Sequence, residues 1–259
     1  YELVKRDPLT VRTSINPGIV WSDGTPIDAV DMLLPWVAGS GFYDDTASGT
    51  NWDVVAKKTG MEKITKFPKI SDDGRTVTWT FSQFDSAWNL FFGIGKPVHA
   101  LTQLAYPRDS NSAAKARFLK AVKAKDWTTL KKIADQYNTA YNFVDTQPIN
   151  SRTNPKLLVS SGAYIIKSSE VGKSMTLVEN PRYNSGPKPK IKTIQLVTIT
   201  DPTAMAQALA NREVDLIAPQ ATGALVEALK KQRNTKVYGY GASLYEHFDI
   251  FLNGPSFAG

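Results

Sequence analysis

Two histidines, His99 and His247, twenty-four acidic residues and no cysteine set the chemistry open to this chain. Histidine titrates near neutral pH and is the commonest general base for a serine nucleophile. A Ser-His-Asp set can be assembled from residue types alone. The two histidines are far apart in sequence, however, and no G-x-S-x-G turn presents a serine to either. H-E-x-x-H and the P-loop are absent, and Gly93-Ile94-Gly95 lacks the third glycine of G-x-G-x-x-G. Without cysteine there is no disulfide, thiolate nucleophile or Cys-ligated zinc or iron–sulfur centre. Nor do His and Cys cluster as metal ligands would. Asp44-Asp45 and Asp72-Asp73 fall in loop and turn sequence, where solvation accounts for them. The sequence therefore predicts no catalytic residue, no metal ligand and no cofactor.

What remains is binding by concave apolar surface with a few polar anchors. Tyr245, His247 and Asp249 share one face of a strand predicted at 245–252. Tyr245 can stack on a ligand or hydrogen-bond to it, and His247 can offer a ring nitrogen. The alternative is that all three are half-exposed sheet residues.

The chain has 259 residues, enough for one large or two ordinary domains. Hydrophobic content of 42% and charged content of 21% are those of a globular protein. No apolar run reaches the roughly 18 residues of a membrane span. Tyr1-Glu2-Leu3-Val4-Lys5-Arg6 reads as a strand rather than a signal peptide, and Asn253-Gly254-Pro255 is turn sequence after a strand-like run. Both ends read as cuts, so a piece of a longer protein is expected. The net charge of +7 admits an anionic partner. The lysines are spread in short clusters such as Lys188/Lys190/Lys192, without a nucleic-acid motif, which predicts a solvated basic surface and no nucleic-acid partner.

The elements that would position a site follow from periodicity. Leu9, Val11, Thr13 and Ile15 alternate with polar residues after Asp7-Pro8, predicting a hairpin over 3–16. A helix is expected from Ala29 to about Trp36, where Pro35 distorts or ends it. Residues 39–60 read as a long ordered loop. Val77, Trp79 and Phe81 alternate after Ser71-Asp72-Asp73-Gly74, predicting a second hairpin over 62–82. A short aromatic helix is expected at 86–92, then amphipathic helices near 113–124 and 128–141. Residues 145–162 form the best domain boundary. Beyond it, strands are expected at 163–168, 174–179, 191–199, 214–218, 236–240 and 245–252. Helices are expected after Asp201-Pro202, with Met205, Ala208 and Leu209 buried, and at 222–232.

One stretch combines turn and helix chemistry: Trp21-Ser22-Asp23-Gly24-Thr25-Pro26, followed by Asp28-Ala29-Val30-Asp31. Asp23-Gly24 makes a turn, Asp28 caps the helix, and Asp31 stands where a capping-box acid belongs. The stretch resembles the W-S-D-G-T-P-(I/V)-x-A-x-D signature of the extracellular solute-binding proteins of family 5. These are the receptor subunits of peptide, nickel and oligosaccharide ABC importers. Three further blocks are similar to that family in the same order: Ser161-Gly162-Ala163-Tyr164 with Glu179-Asn180-Pro181-Arg182-Tyr183; Asp201 to Leu216; and Tyr245 to Asn253. Asn184 stands where the family has Trp, and Arg212 where it has Gly.

The resemblance implies an α/β, periplasmic-binding-protein-like fold (type II, cluster C-like), incomplete here. Residues 1–154 would be the accessory lobe, and 155–259 the central part of the first ligand-binding lobe. It implies a non-enzymatic, monomeric receptor that holds a small solute, a peptide or similar, between two lobes and delivers it to an ABC permease. The whole protein would sit at the extracellular face of the cytoplasmic membrane or in the periplasm, lipid-anchored. It implies ligand contacts from Tyr245 and His247, and from Trp36 and Tyr43 beyond the signature helix. Core packing is the alternative for Trp36, and structural packing is expected of Trp21. The rival readings are a lobe of a hydrolase and a scaffold module that has lost binding.

Overall fold

The computed structural model describes residues 1–55, 57–142, 148–220 and 222–239. They fall into two compact units, Tyr1–Thr198 and Ile199–Gly259. In the first unit, strands β1 (Glu2–Arg6), β2 (Leu9–Ser14), β3 (Lys69–Ile70) and β4 (Thr76–Thr80) form an antiparallel sheet in the order β1-β2-β4-β3. The alternation in β2 puts Leu9, Val11 and Thr13 in the core while Arg12 and Ser14 face solvent. From β4, Val77 and Trp79 join the same core.

Helices α1 (Ala29–Gly39), α2 (Val98–Ala105), α3 (Asn111–Ala124) and α4 (Trp127–Thr139) complete this part. α1 opens on the expected capping box: Asp28 Oδ1 accepts from Val30 N at 2.9 Å, and Asp31 Oδ2 accepts from Asp28 N at 3.1 Å. The helix continues past its predicted end at Trp36 to Gly39. Pro35 lacks an N–H and so forfeits one intrahelical bond, but Leu33, Leu34, Trp36 and Val37 are all buried, and that packing outweighs a single bond. α3 and α4 bury Phe118, Ala121 and Val122, and Leu130, Ile133 and Ala134, at helical spacing.

Two departures lie between the sheet and α3. The aromatic helix predicted at 86–92 is a single 3-10 turn, Trp88–Leu90. α2 has no counterpart among the expected elements. All of Val98–Gln103 is buried, including the polar His99, Thr102 and Gln103 that stand on one face at helical spacing.

Strands β5 (Tyr164–Glu170), β6 (Ser174–Glu179) and β7 (Thr193–Val197) form a second antiparallel sheet, also in the first unit. The lobe boundary read at 154/155 thus falls inside one compact unit. Hydrogen bonds cross it: Ile149 and Ser169 exchange two backbone bonds, and Ser22 N donates to Ser160 O at 2.8 Å.

The second unit contains α5 (Pro202–Ala210) and α6 (Gly223–Lys231). Asp201 caps α5 through Ala204 N at 2.6 Å, and Thr222 caps α6 through Leu225 N at 3.3 Å. Among its described residues Ala206, Ala208 and Leu229 are buried, whereas Met205 and Leu209 are half-buried rather than the expected stripe. The strand predicted at 214–218 does not form: Leu216 is 81% exposed, and the segment has no ladder partner among the described residues. Residues 236–239 are likewise not a strand. The strand predicted at 245–252 lies outside the described residues.

Gly60 has φ +135°, and a Cβ there would overlap the Phe91 ring. Gly74 also has positive φ, +67°, but a Cβ would meet nothing within 4 Å. Gly60→Ala is therefore expected to destabilise by about 2–4 kcal/mol, combining backbone strain with overpacking. Gly74→Ala should cost about 1 kcal/mol from its backbone alone. Urea denaturation of both variants checks the ranking, and equal losses would contradict it.

Candidate functional site

The Trp21–Asp31 stretch is the centre of a buried polar cluster. Gly24, at φ +92°, closes the turn by donating its N–H to Trp21 O at 2.8 Å. Thr25 N donates to Asp23 Oδ1 at 3.0 Å. The other carboxylate oxygen, Asp23 Oδ2, meets His99 Nε2 at 2.8 Å. A carboxylate only accepts, so Nε2 carries the hydrogen and Nδ1 is left as an acceptor in neutral His99. That Nδ1, Trp21 Nε1 and Thr102 Oγ1 are buried without hydrogen-bond partners among the described residues. His99 is fully buried on α2, and burial pushes its pKa below the ordinary 6.5 despite Asp23. Burial pushes Asp23 up, but the Thr25 N–H and His99 outweigh it and hold the carboxyl below the usual range.

Lys115 is the cation of the cluster. Its Nζ lies 2.5 Å from Asp31 Oδ2 and 3.0 Å from Asp28 Oδ2, and donates to Pro26 O at 2.6 Å. The Asp31 side chain is fully buried, that of Lys115 8% exposed. Asp31 Oδ1 accepts from Val98 N at 3.2 Å. One carboxylate therefore caps α1, ties down the start of α2 and holds a lysine of α3. Lys115 keeps helical register with Phe118 and Val122, so its place on the buried face is legible. The pairing of Asp23 with His99, 76 positions apart, leaves no local signal.

The same turn reaches the segment before β5. Ser160 N donates to Ser22 Oγ at 3.0 Å, Arg182 to Ser22 O at 2.8 Å, and Asn184 Nδ2 to Gly18 O at 2.7 Å. Thr25 Oγ1 accepts from Asn111 Nδ2 at 2.5 Å, Asn111 Oδ1 from Gln103 Nε2 at 2.9 Å, and Gln103 Oε1 from Lys156 Nζ at 2.5 Å. The stretch joins residues 1–154 to 155–198. It brings together acids, a lysine and a histidine, but every charge is spent on a structural partner. Among the described residues no group of three or more His, Cys, Asp or Glu is placed to hold a metal ion.

Of the expected ligand contacts, Trp36 and Tyr43 are 2% and 4% exposed. Their rings meet edge to face at 5.2 Å, and Trp36 Nε1 donates to Ile64 O at 3.1 Å. Burial pushes the Tyr43 phenol up to about 12. Both rings are core packing, the alternative read for Trp36. Trp36 also borders a cavity of about 180 Å³ together with Met32, Ile64, Trp79 and Phe92. Tyr245 and His247 lie outside the described residues.

Lys115→Met would strand the Asp31 carboxylate. It is expected to destabilise by about 3–5 kcal/mol, whereas Arg12→Met, which breaks the exposed pair with Glu2, should cost about 0.5 kcal/mol or less. Chemical denaturation distinguishes them. The sign for His99 follows from its lowered pKa: its contribution is full above pH 6.5 and is lost as pH falls from 6.5 through the folded-state value. His99→Gln, which keeps a donor to Asp23, should flatten the stability profile below about pH 6.5. Paired melting curves read this, and parallel profiles would contradict it.

The profile of the bacterial extracellular solute-binding proteins, family 5 (middle), matches residues 3–258. No curated protein sequence matches significantly. Among solved structures, the periplasmic EDTA-binding protein EppA is 28% identical, with a TM-score of 0.63 over 88% of this chain and 35% of its own. An oligopeptide-binding protein OppA is 16% identical, with a TM-score of 0.59 over 89% of this chain and 34% of its own. The oligopeptide-binding protein of Thermus thermophilus, complexed with a pentapeptide, is 18% identical, with a TM-score of 0.51 over 78% of this chain and 31% of its own. The chain thus spans about a third of the length of these structures, and its mixed helix and sheet architecture is the periplasmic-binding-protein-like fold they share. A match over nearly every residue, with the signature turn as the hub of the fold, makes this chain a member of the bacterial extracellular solute-binding proteins, family 5, a family of binding proteins and not of enzymes.

Proposed function

We propose that this chain is part of a solute receptor that closes two lobes around a peptide or similar solute and hands it to an ABC permease. The observation that carries the reading is the family match over residues 3–258. The chemistry agrees: the ionisable groups gathered at the signature turn are paired with one another. Residues 1–154 act as the accessory lobe and 155–259 as the central part of the first ligand-binding lobe. The hydrogen bonds of Ser22 with Ser160 and Arg182 hold the two together. Tyr245 and His247 supply one wall of the cleft, and the opposing wall belongs to a longer protein. Grip comes from enclosure by hinge closure, and no bond is broken. The receptor works as a monomer outside the cytoplasmic membrane, held by a lipid anchor. Among the described residues no helix is long and apolar enough to cross a membrane.

A second reading concerns the solute. EppA, the EDTA-binding protein, is 28% identical to this chain, against 16% and 18% for the peptide-binding proteins above. That favours a compact polyanionic chelate as the rival to a peptide.

The test is calorimetry on the longest open reading frame containing this chain, with a peptide pool and with metal–EDTA as separate titrants. Saturable heat with either supports the receptor and chooses the solute; heat with neither leaves the scaffold reading. Turnover of peptide or ester substrates, abolished by His247→Ala, would overturn it in favour of a hydrolase. The 259-residue chain alone should bind neither titrant with micromolar affinity, because one wall cannot enclose a solute. Tyr245→Ala in the longer protein should weaken binding about tenfold, about 1.4 kcal/mol.

A further inference from the structure

The cavity bordered by Trp36 is not accounted for by the signature turn or by the proposed cleft wall. Its walls are Tyr1, β2, β4, α1, the Met61–Ile64 turn and the segment 91–94, all within residues 1–154. Its volume is about 180 Å³. A cavity of about 150 Å³ lined by Leu, Ile and Phe stays dry and admits benzene, so the size alone accommodates one substituted ring.

The lining decides the chemistry. Met32, Trp36, Ile64, Trp79, Phe91 and Phe92 present aromatic faces, a thioether and a branched alkyl group. The polar atoms they bring are already engaged. Trp36 Nε1 donates to Ile64 O at 3.1 Å, and Trp79 Nε1 to Thr13 Oγ1 at 2.8 Å. Thr13 Oγ1 in turn lies 3.3 Å from Met32 Sδ, and Ser14 Oγ is 3.0 Å from Thr76 Oγ1. None of the buried polar atoms that lack a partner among the described residues belongs to a residue lining this cavity. A water molecule needs two to four polar partners to occupy a buried space. The six side chains named above offer it none, and a charged ligand seated among them would be desolvated without compensation; Tyr1, 73% exposed, is the polar residue at the open side. A flat apolar molecule meets ring edges, ring faces and polarizable sulfur, which favour aromatic guests. Trp79 and Phe92 already stand 5.3 Å apart, and Trp36 and Trp79 6.4 Å, the spacing of interacting rings. At the rim, Ile94 is 38% exposed and Gly93 has no side chain, so a small molecule has a way in.

We propose that this cavity is a second ligand site, selective for a small neutral aromatic molecule of the size of toluene or indole. It rests on the cavity geometry alone and stands whether or not the receptor reading holds.

The probe is iodobenzene, titrated into the 259-residue chain while tryptophan fluorescence is followed, with crystals soaked in parallel to locate iodine by its anomalous scattering. Expected are saturable heavy-atom quenching with a dissociation constant below about 1 mM and iodine seated among Met32, Trp36 and Phe92. Ile94→Trp, which fills the rim, should weaken the apparent affinity at least tenfold. Leu90→Trp, at a 78% exposed position that does not line the cavity, should leave it unchanged. Benzoate, similar in size but charged, should not compete. Non-saturating quenching, iodine elsewhere, or equal affinity in the Ile94 and Leu90 variants would overturn the proposal. The iodine position in the unsubstituted chain decides the matter even if Ile94→Trp fails to fold.

Discussion

The buried ion pair of Lys115 with Asp31, flanked by the partly exposed Asp28, is the constraint on which the rest of the first unit depends. An isolated ammonium or carboxylate costs several kcal/mol to bury, so neither Lys115 nor Asp31 is tolerable in the core without the other. Each is then committed to one position. Asp31 is fixed by the start of α1, which it caps, and by Val98 N, so α1 and α2 are placed relative to one another. Lys115 is fixed by Pro26 O and the two carboxylates, so α3 is placed on both. Apolar packing supplies most of the stabilisation but tolerates sliding. The ion cluster supplies the register.

The three acids of the signature stretch gather with a histidine and a lysine, yet their pairings are structural. A catalytic acid or base needs an open position beside it and a pKa near the working pH. Asp23 is held by Thr25 and His99, and His99 by Asp23 and full burial. The stretch is a joint. Its polar edge, Ser22 and Thr25, extends to Ser160, Arg182 and, through Asn111 and Gln103, to Lys156.

How far the sequence discloses this depends on the range of each interaction. The capping box of Asp28 and Asp31, the turn at Asp23-Gly24, the hairpin at Asp72-Asp73-Gly74 and the stripes of α3 and α4 are local patterns, and all are present in the structure. α2 carries His99, Thr102 and Gln103 at helical spacing, but at eight residues it offers only two turns of period to read. The segment 214–218 has the apolar character of a strand, but a strand is a pairing and not a composition, and no partner lies among the described residues. Lys115 is legible as a misfit on a buried face, yet its partner Asp31, 84 positions away, is not. Trp36 and Tyr43, implied by resemblance as ligand contacts, are edge-to-face core rings. An aromatic in or just after a buried helix reads alike in both roles until its neighbours are known.

Native-state hydrogen exchange tests the central claim most directly. The amides of Ser22, Asp28, Val98 and Ser160 are all anchored to the cluster or its polar edge. If the ion cluster sets the register of the whole joint, these four amides share one opening free energy, and Lys115→Met lowers it by the same amount at each. If Ser22 and Ser160 instead exchange through a local opening that Lys115→Met leaves untouched, the joint does not depend on the buried ions and the account is wrong.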